Sequence, residues 1–581
     1  MCRVDAVEGA LDKNRLVRAL GLALTIGILA GCMSSARPQQ AASNPDAPAR
    51  AACCTRVIAA ALGEPPTFNS GINAAQIPAP GAEIVEELAN SALAITDYRG
   101  NLIPQLAETL PSLENGLWKL ASDGSMETTW RIRKDAKWHD GAPFTSEDIM
   151  FSAQLAQDRE LPGFRDSAFE KVQSIQTPDL HTVTVTWKQA LIEADLLFTR
   201  NLLPKHILEQ PYTEDKATFS QLPFWNRDFI GTGPFKPREW VSGSHILFEA
   251  NGDYVLGRPK IDEIELRFIS DPTTIIANLL AGTADVTFGR GFSVEQTVLV
   301  RDQWGDGGRV DLGFVNAWLT ILPQFVNTNP PVILDVRMRR ALLQAIDRQE
   351  LADSIQHGVL PVAHMYLGPN QPKYRDIEAR IPKYDYDPRE AGRAIESLGY
   401  TRGTDGIFRD AANERLAVEL RSVPTDVSSK TTFAVADFWQ RAGVGVETVM
   451  VPTQRFADQE YLATYPSFVV YRQPIDVQRV KLLQSVYAPL PENNFRAVGN
   501  YNRYMNPEFD GLIDRFLSTI PTEQRMQVLG QLIYHMADQL PHMGLFYDGQ
   551  PTLINNRLQN ATGKTPISSQ AWNVHEWTIR S

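Results

Sequence analysis

The side chains able to do chemistry are thinly spread through this chain. His139-Asp140 sets an imidazole beside a carboxylate, the types a general base and its orienter require. Neighbours in an Asp-Gly turn do not point at each other as a catalytic pair must, however. Nine histidines are scattered, and the pairs His357/His364 and His535/His542 are each seven residues apart. They fall across an expected helix end or Pro541 and read as surface residues, so no metal or haem site is expected. The four cysteines are Cys2, Cys32, Cys53 and Cys54. None follows residue 54, which leaves the body without a disulfide, a thiolate metal site or a cysteine nucleophile. Gly-x-Ser-x-Gly and His-Glu-x-x-His are absent. Gly231-Thr232-Gly233-Pro234 lacks the spacing and the following Lys-Ser/Thr of a phosphate cradle and reads as backbone geometry. A pair of carboxylates for glycoside hydrolysis stays open, since their approach is a tertiary fact. No cofactor is expected, and binding without chemistry is the first reading.

The start of the chain reads as a targeting segment. Lys13, Arg15 and Arg18 precede an apolar run from Ala19 to Ala30, well short of the roughly 20 residues that span a bilayer. Leu29-Ala30-Gly31-Cys32 resembles the lipobox of bacterial lipoproteins, which makes Cys32 the expected lipidation site; an ordinary secretory signal or an uncleaved anchor is the alternative. The expected parts are a signal at 1–31 and a flexible tether at 32–55, whose Ala, Ser, Pro and Gln cannot bury enough surface to offset their entropy. Cys53-Cys54 has no assigned role, because adjacent cysteines pair only with strained geometry.

The remainder is long enough for several domains and ordinary in composition, at 43% hydrophobic and 21% charged. A formal charge of −12 excludes a general nucleic-acid binder, which needs a basic face. After residue 31 no apolar run approaches membrane-spanning length. No short repeat is visible, and the class is mixed α/β. Strands are expected at 56–62, at Met126–Arg133 with its period of two, and at Thr182–Trp187 as a hairpin arm after Asp179. Thr145-Ser146-Glu147-Asp148 predicts a capped helix, and Asp387-Pro388 opens another that Gly399 closes. One helix is expected from Val336 to Gln356 and one from Thr522 to Leu540.

Several of these segments, in order, resemble the peptide-type solute-binding proteins that serve ABC importers, a family that includes nickel and sugar binders. Trp130-Arg131-Ile132-Arg133-Lys134-Asp135-Ala136-Lys137-Trp138-His139-Asp140-Gly141-Ala142-Pro143-Phe144-Thr145-Ser146-Glu147-Asp148-Ile149 carries the most specific match: an aromatic, a basic strand end, an Asp-Gly turn and a capped helix. Leu203-Pro204-Lys205-His206, Ile230-Gly231-Thr232-Gly233-Pro234-Phe235, Asn251-Gly252-Asp253-Tyr254, Asp335-Val336-Arg337-Met338-Arg339-Arg340-Ala341 and Asn506-Pro507-Glu508-Phe509-Asp510 follow. Read from residue types alone, Asp140-Gly141 is a turn, and Arg337, Arg339 and Arg340 are a solvated or ion-paired helix start.

The resemblance implies a two-lobed periplasmic-binding-protein fold of type II, in its large three-domain form, with a ligand cleft between lobes. Domain I would combine 56–95, 229–314 and 541–581, an inserted domain II would occupy 96–228, and domain III, the second lobe, 315–540. The cleft would be lined by Phe68, Asn69 and Asn73, by Phe164, by Tyr471, Arg472, Gln473 and Asp476, and by Phe546 and Tyr547; core packing is the alternative for Phe68, Phe546 and Tyr547. The expected partners are a peptide or small-molecule ligand, membrane permease subunits and a lipid anchor, with a monomeric protein in the cell envelope, outside the cytoplasm, on the periplasmic face or the cell surface. Peptide binders of the family carry a Trp followed closely by an Asp that holds the peptide ammonium group. Val470-Tyr471-Arg472-Gln473-Pro474-Ile475-Asp476 has no tryptophan. Peptide is the first expectation; an oligosaccharide, a metal chelate or another small molecule is the alternative. A cleft hydrolase and a structural or chaperone-like surface lipoprotein are more distant ones.

Overall fold

The computed structural model describes residues 55–74, 82–289, 291–312, 315–369, 371, 373–475, 477–563 and 569–580. The expected signal, Cys32, most of the tether with Cys53 and Cys54, and Asp476 lie outside the described residues.

Arg56–Ala61, apolar or small at every position after the arginine, forms a strand that pairs in parallel with Glu263–Phe268 on one side and Val286–Phe288 on the other. Burial on both faces suits such a run. It lies at the centre of a seven-stranded sheet ordered Gly308–Asp311, Thr552–Asn555, Val286–Phe288, Arg56–Ala61, Glu263–Phe268, His245–Ala250 and Phe235–Val241. Three distant stretches of chain thus meet in one sheet.

Between the first two of those stretches lies a four-stranded sheet of Trp118–Leu120, Met126–Arg131, Thr182–Trp187 and Val172–Asp179. Its inner face carries Trp130, Trp187, Val183 and Val185, and the Trp187 indole N–H donates to the Thr128 hydroxyl at 2.9 Å. Helix Ser146–Gln157 begins with the capping box expected of Thr145 and Asp148. This inserted region shares one apolar cluster with the seven-stranded sheet, in which Phe164, Leu208 and Trp225 pack with Phe68 and Ile264.

The second lobe is built on a five-stranded sheet ordered Gly445–Met450, Ala417–Ser422, Phe468–Pro474, Val315–Pro323 and Met543–Gly549. Cores cover both faces: Leu319, Phe468 and Phe546 contribute to one, Trp318 and Tyr547 to the other. The single helix expected over 336–356 is two, Val336–Gln344 and Arg348–Gln356. The Asp347 carboxylate accepts from the Glu350 N–H at 2.9 Å and starts the second helix afresh, the local competition that short acidic side chains offer a helix. Arg348 then turns inward to the carbonyls of Ala363, Gly544 and Tyr384.

The boundary expected at 540/541 falls one strand early. Met543–Gly549 is hydrogen-bonded to Val315–Pro323 in the second sheet, and only Thr552–Asn555 belongs to the first. The apolar run Met543–Tyr547 carries no pattern that says which sheet will take it. The two lobes are therefore joined by a ribbon: Asp311 pairs with Thr552 at the edge of one sheet, and Val315 with Gly549 at the start of the other. A Cβ on Gly549 would stand 3.1 Å from the Leu312 carbonyl oxygen, so the two crossing segments touch. Such a short ribbon can swing a lobe with few φ/ψ changes.

Candidate functional site: the second-lobe wall and the first-strand loop

The strand Phe468–Pro474 ends beside the crossing. Its alternating residues face opposite ways: Phe468 and Val470 enter one core and partly exposed Arg472 follows them on that face, while partly exposed Tyr471 stands on the other. The rings of Tyr471 and Tyr501 are 4.7 Å apart at 44°. Burial pushes the Tyr471 phenol up, and Tyr501 adds to the rise. The Arg472 guanidinium is ion-paired with Asp548, whose carboxylate also accepts from the Gln356 amide at 3.1 Å. Gln473 is buried, and its carbonyl oxygen accepts from the Trp318 indole N–H at 3.2 Å. Asp476 lies outside the described residues.

The loop after the first strand is held by its own amides. Asn73 accepts from the Thr67 N–H at 3.1 Å and from its hydroxyl at 2.8 Å, and donates back to the Thr67 carbonyl at 2.9 Å. Asn69 accepts from the Ile72 N–H at 3.0 Å and donates to the Asn201 side-chain oxygen at 3.2 Å, tying the loop to the inserted region. Glu86 beneath it accepts from the Ser70 N–H at 2.8 Å, and burial pushes its carboxyl up.

The aromatic candidates lie inside cores. Phe68 stacks on Phe229 at 4.8 Å and meets Trp240 edge-on at 5.1 Å. Phe164 packs against Trp225 and Phe219. Phe546 and Tyr547 have no exposed surface, and the Tyr547 hydroxyl donates to the Leu367 carbonyl at 2.6 Å. Tyr471 meets Tyr501 on one face of the strand, and Arg472 meets Asp548 and, through it, Gln356 on the other; the sequence reading missed Tyr501, Asp548 and Gln356. Asp548 follows the singled-out Tyr547 directly, and Tyr501 stands in an Asn-Tyr-Asn-Arg-Tyr run just ahead of Asn506-Pro507. Gln356 carries no local signal.

The stretches that matched in order form a scaffold of their own. The His139 ring accepts from the Gly231 N–H at 3.2 Å through Nδ1, and its Nε2 donates to the Gly233 carbonyl at 3.0 Å. Both nitrogens are occupied, and burial pulls the imidazole down to about 4, so it is no general base. Asp140 turns instead to His206 at 2.8 Å. Gly141 takes φ +91° at the turn. A Cβ on Gly231 or Gly233 would overlap the backbone of Ala89, which explains both glycines by close approach. Arg337 pairs with Asp335 at 2.6 Å and Arg340 with Asp538 at 2.6 Å. Arg339 departs from that solvated reading: it is buried and donates to the carbonyls of Ile333, Leu334 and Gln539. The surface reading also fails for His535 and His542. His535 meets the Tyr504 hydroxyl at 2.9 Å. His542 lies buried over Trp318, because the chain reverses at Leu540 straight into the sheet.

The family model for bacterial extracellular solute-binding proteins, family 5 (middle region), matches residues 101–489, well over half of the chain. The chain belongs to this family. Among curated relatives, the oligopeptide-binding protein AppA of Bacillus subtilis is 25% identical over 90% of this chain and 91% of its own length. Two solved structures share the fold. The oligopeptide-binding protein of Thermus thermophilus, complexed with a pentapeptide, has a TM-score of 0.69 at 22% identity, over 90% of this chain and 96% of its own. NikZ of Campylobacter jejuni, in complex with Ni(L-His), has a TM-score of 0.67 at 20% identity, over 90% and 99%. The two-lobed periplasmic-binding fold of family 5 is thus the frame in which the ribbon and both walls stand. Among the described residues no helix is long and apolar enough to cross a membrane.

Proposed function

We propose that this family 5 protein captures an oligopeptide between its lobes without chemical conversion and hands it to an ABC importer, held near the permease by lipid on Cys32. The observation that carries the reading is the second-lobe wall at the crossing. There a tyrosine pair, Tyr471 and Tyr501 at 4.7 Å, stands on the same strand as the Arg472–Asp548 ion pair. A solute cleft wants aromatic surface with a few fixed polar groups, and the end of this strand offers the first on one face and the second on the other, beside the crossing about which the lobes would close. Asp476 would complete it, and Asn69 with Asn73 would fix the facing loop. Domain I is then 56–95, 229–314 and roughly 550–581, domain II 96–228 and domain III 315–549, the last boundary following the strand that pairs with Val315–Pro323. Tethering would raise the effective concentration of loaded protein at the permease.

A second reading, a non-peptide solute such as an oligosaccharide or a metal chelate, is favoured by one specific observation. The residues 470–476 hold no tryptophan, and Arg472 is already balanced by Asp548. Mass spectrometry of small molecules released on denaturing freshly purified protein separates the two readings. Thermal melting with tryptic casein peptides, maltooligosaccharides and nickel–histidine follows, since a ligand of the native state raises Tm. Peptides in the released fraction and a rise with casein digest are expected. A rise with sugars or chelate alone moves the protein to the second reading, and no rise with any class overturns solute capture.

A further inference from the structure

The inserted region is fused to the first lobe by a broad apolar core. Its meeting with the second lobe is of a different kind. The segment Leu191–Phe198 reaches across to the end of helix Pro507–Ser518, where the Ile192 N–H donates to the Leu517 carbonyl at 3.0 Å. Beside it the Lys481 ammonium meets the Glu193 carboxylate at 2.7 Å, with the lysine 34% and the glutamate 11% exposed. Ile520, on the turn after that helix, inserts among Leu191, Ala194 and Leu197 of the inserted region. Arg525 holds this turn by donating to the carbonyls of Thr519 and Ile520 at 3.3 and 2.7 Å, and its charge faces Asp195. Lys171 and Asp514 border the same contact, and Gln484 donates to Asp514 at 2.8 Å.

One backbone bond, one ion pair and two isoleucines, Ile192 and Ile520, are a small, partly wet contact between bodies whose chain crosses between Asp311 and Val315 and between Gly549 and Thr552. Rotation about that ribbon must separate it. Burial pushes the Asp195 carboxyl up to about 6, against the pull of Arg525 and with Glu193 adding to the rise, while Ile192, Glu193 and Asp195 each keep partial exposure. Another cross-lobe pair, Glu295 with Lys430 at 2.8 Å, is nearly half exposed on both sides, and water screens such pairs.

We propose that the Ile192–Asp195 segment and the Lys481, Leu517 and Ile520 surface form a clasp that is made when the lobes shut and broken when they part, with Glu193 and Lys481 as positioning residues that set how long the lobes stay closed. The purpose of the clasp rests on the solute-capture reading; its existence is tested without ligand.

Hydrogen exchange read by mass spectrometry, together with small-angle scattering, is measured on the ligand-free full chain, on Lys481→Glu and on the double exchange Glu193→Lys with Lys481→Glu. In Lys481→Glu, exchange over 191–198 is expected to quicken at least tenfold and the radius of gyration to grow, while the four-stranded sheet of the inserted region keeps its protection. The double exchange is expected to restore both. Three results overturn the proposal: unchanged exchange over 191–198 in Lys481→Glu, loss of protection throughout the inserted region, or no protection of 191–198 in the parent chain. Failure of solute capture would be seen separately, in the melting experiment.

Discussion

Tyr471 and Tyr501 are the side chains on which ligand affinity should turn. Two rings 4.7 Å apart at 44°, both only partly exposed, are rigid apolar surface with hydroxyls at the edge, and aromatic contacts of this kind contribute about 0.5–1.5 kcal/mol beyond burial. Replacing Tyr471 by Ala should weaken binding of the recovered solute about tenfold or more by calorimetry, with the fold intact by circular dichroism; unchanged affinity would remove the tyrosine pair from the site. The Arg472–Asp548 pair makes a separate prediction. Asp548 is buried and also serves Gln356, so Asp548→Asn strips a buried partner from a guanidinium, a loss of roughly 3–5 kcal/mol for a fully buried pair and less here, where Arg472 keeps some solvent. Urea unfolding should show Asp548→Asn to be more destabilised than the double variant Asp548→Asn with Arg472→Met. Equal losses would mean that the pair is screened. None of this pairing could be read from sequence, because residues 356, 472 and 548 meet only through the order of strands in the second sheet.

At the scale of elements, local chemistry was legible and long-range assignment was not. The capping box at Thr145 and Asp148, the start at Asp387-Pro388 and the turn at Gly141 each act over a few residues, and the structure shows all three. Their energies are testable in place. Thr145→Ala removes the side chain that accepts from the Glu147 N–H and should cost about 1 kcal/mol in urea unfolding, with no loss of solute binding. Gly231→Ala should cost more than the cap, since its methyl overlaps the Ala89 carbonyl and backbone cannot step aside as a side chain can. A Gly231→Ala protein as stable as its parent would show that the approach of these two segments is loose. What misled the sequence reading was of one type. The helical period from Val336 to Gln356 runs through Asp347, whose carboxylate breaks the helix, and the apolar run Met543–Tyr547 fits either sheet equally well. Periodicity reports which face is buried, not against what. For the same reason Phe68, Phe164, Phe546 and Tyr547, aromatic and close to expected cleft segments, could not be told from core residues until their neighbours were known.

The molecule as a whole carries a pH dependence in its interior. His139 is held down to about 4 and His542 to about 3, both by burial, and neither imidazole has a carboxylate partner. In the unfolded chain each titrates near 6.5. The folded state therefore resists a proton that the unfolded state accepts, and the stability from each group is present above pH 6.5 and is lost as pH falls toward the folded value. At pH 5 the loss is about 2 kcal/mol for each of the two, from 1.36 kcal/mol per pH unit. Asp195 acts in the opposite sense: burial raises it to about 6, so the folded state takes up its proton first and gains stability as pH falls through that value. The net curve mixes these signs, and a single substitution separates them. His542 lies over Trp318 and beside Tyr366, with neither ring nitrogen hydrogen-bonded among the described residues, so His542→Leu removes a titrating group without orphaning a donor. Urea unfolding at pH 7 and pH 5 should show the parent losing more stability than His542→Leu by about 2 kcal/mol. The same drop in both proteins would mean that His542 is reached by water in the folded state, and that the core behind the second-lobe wall opens more readily than its packing implies.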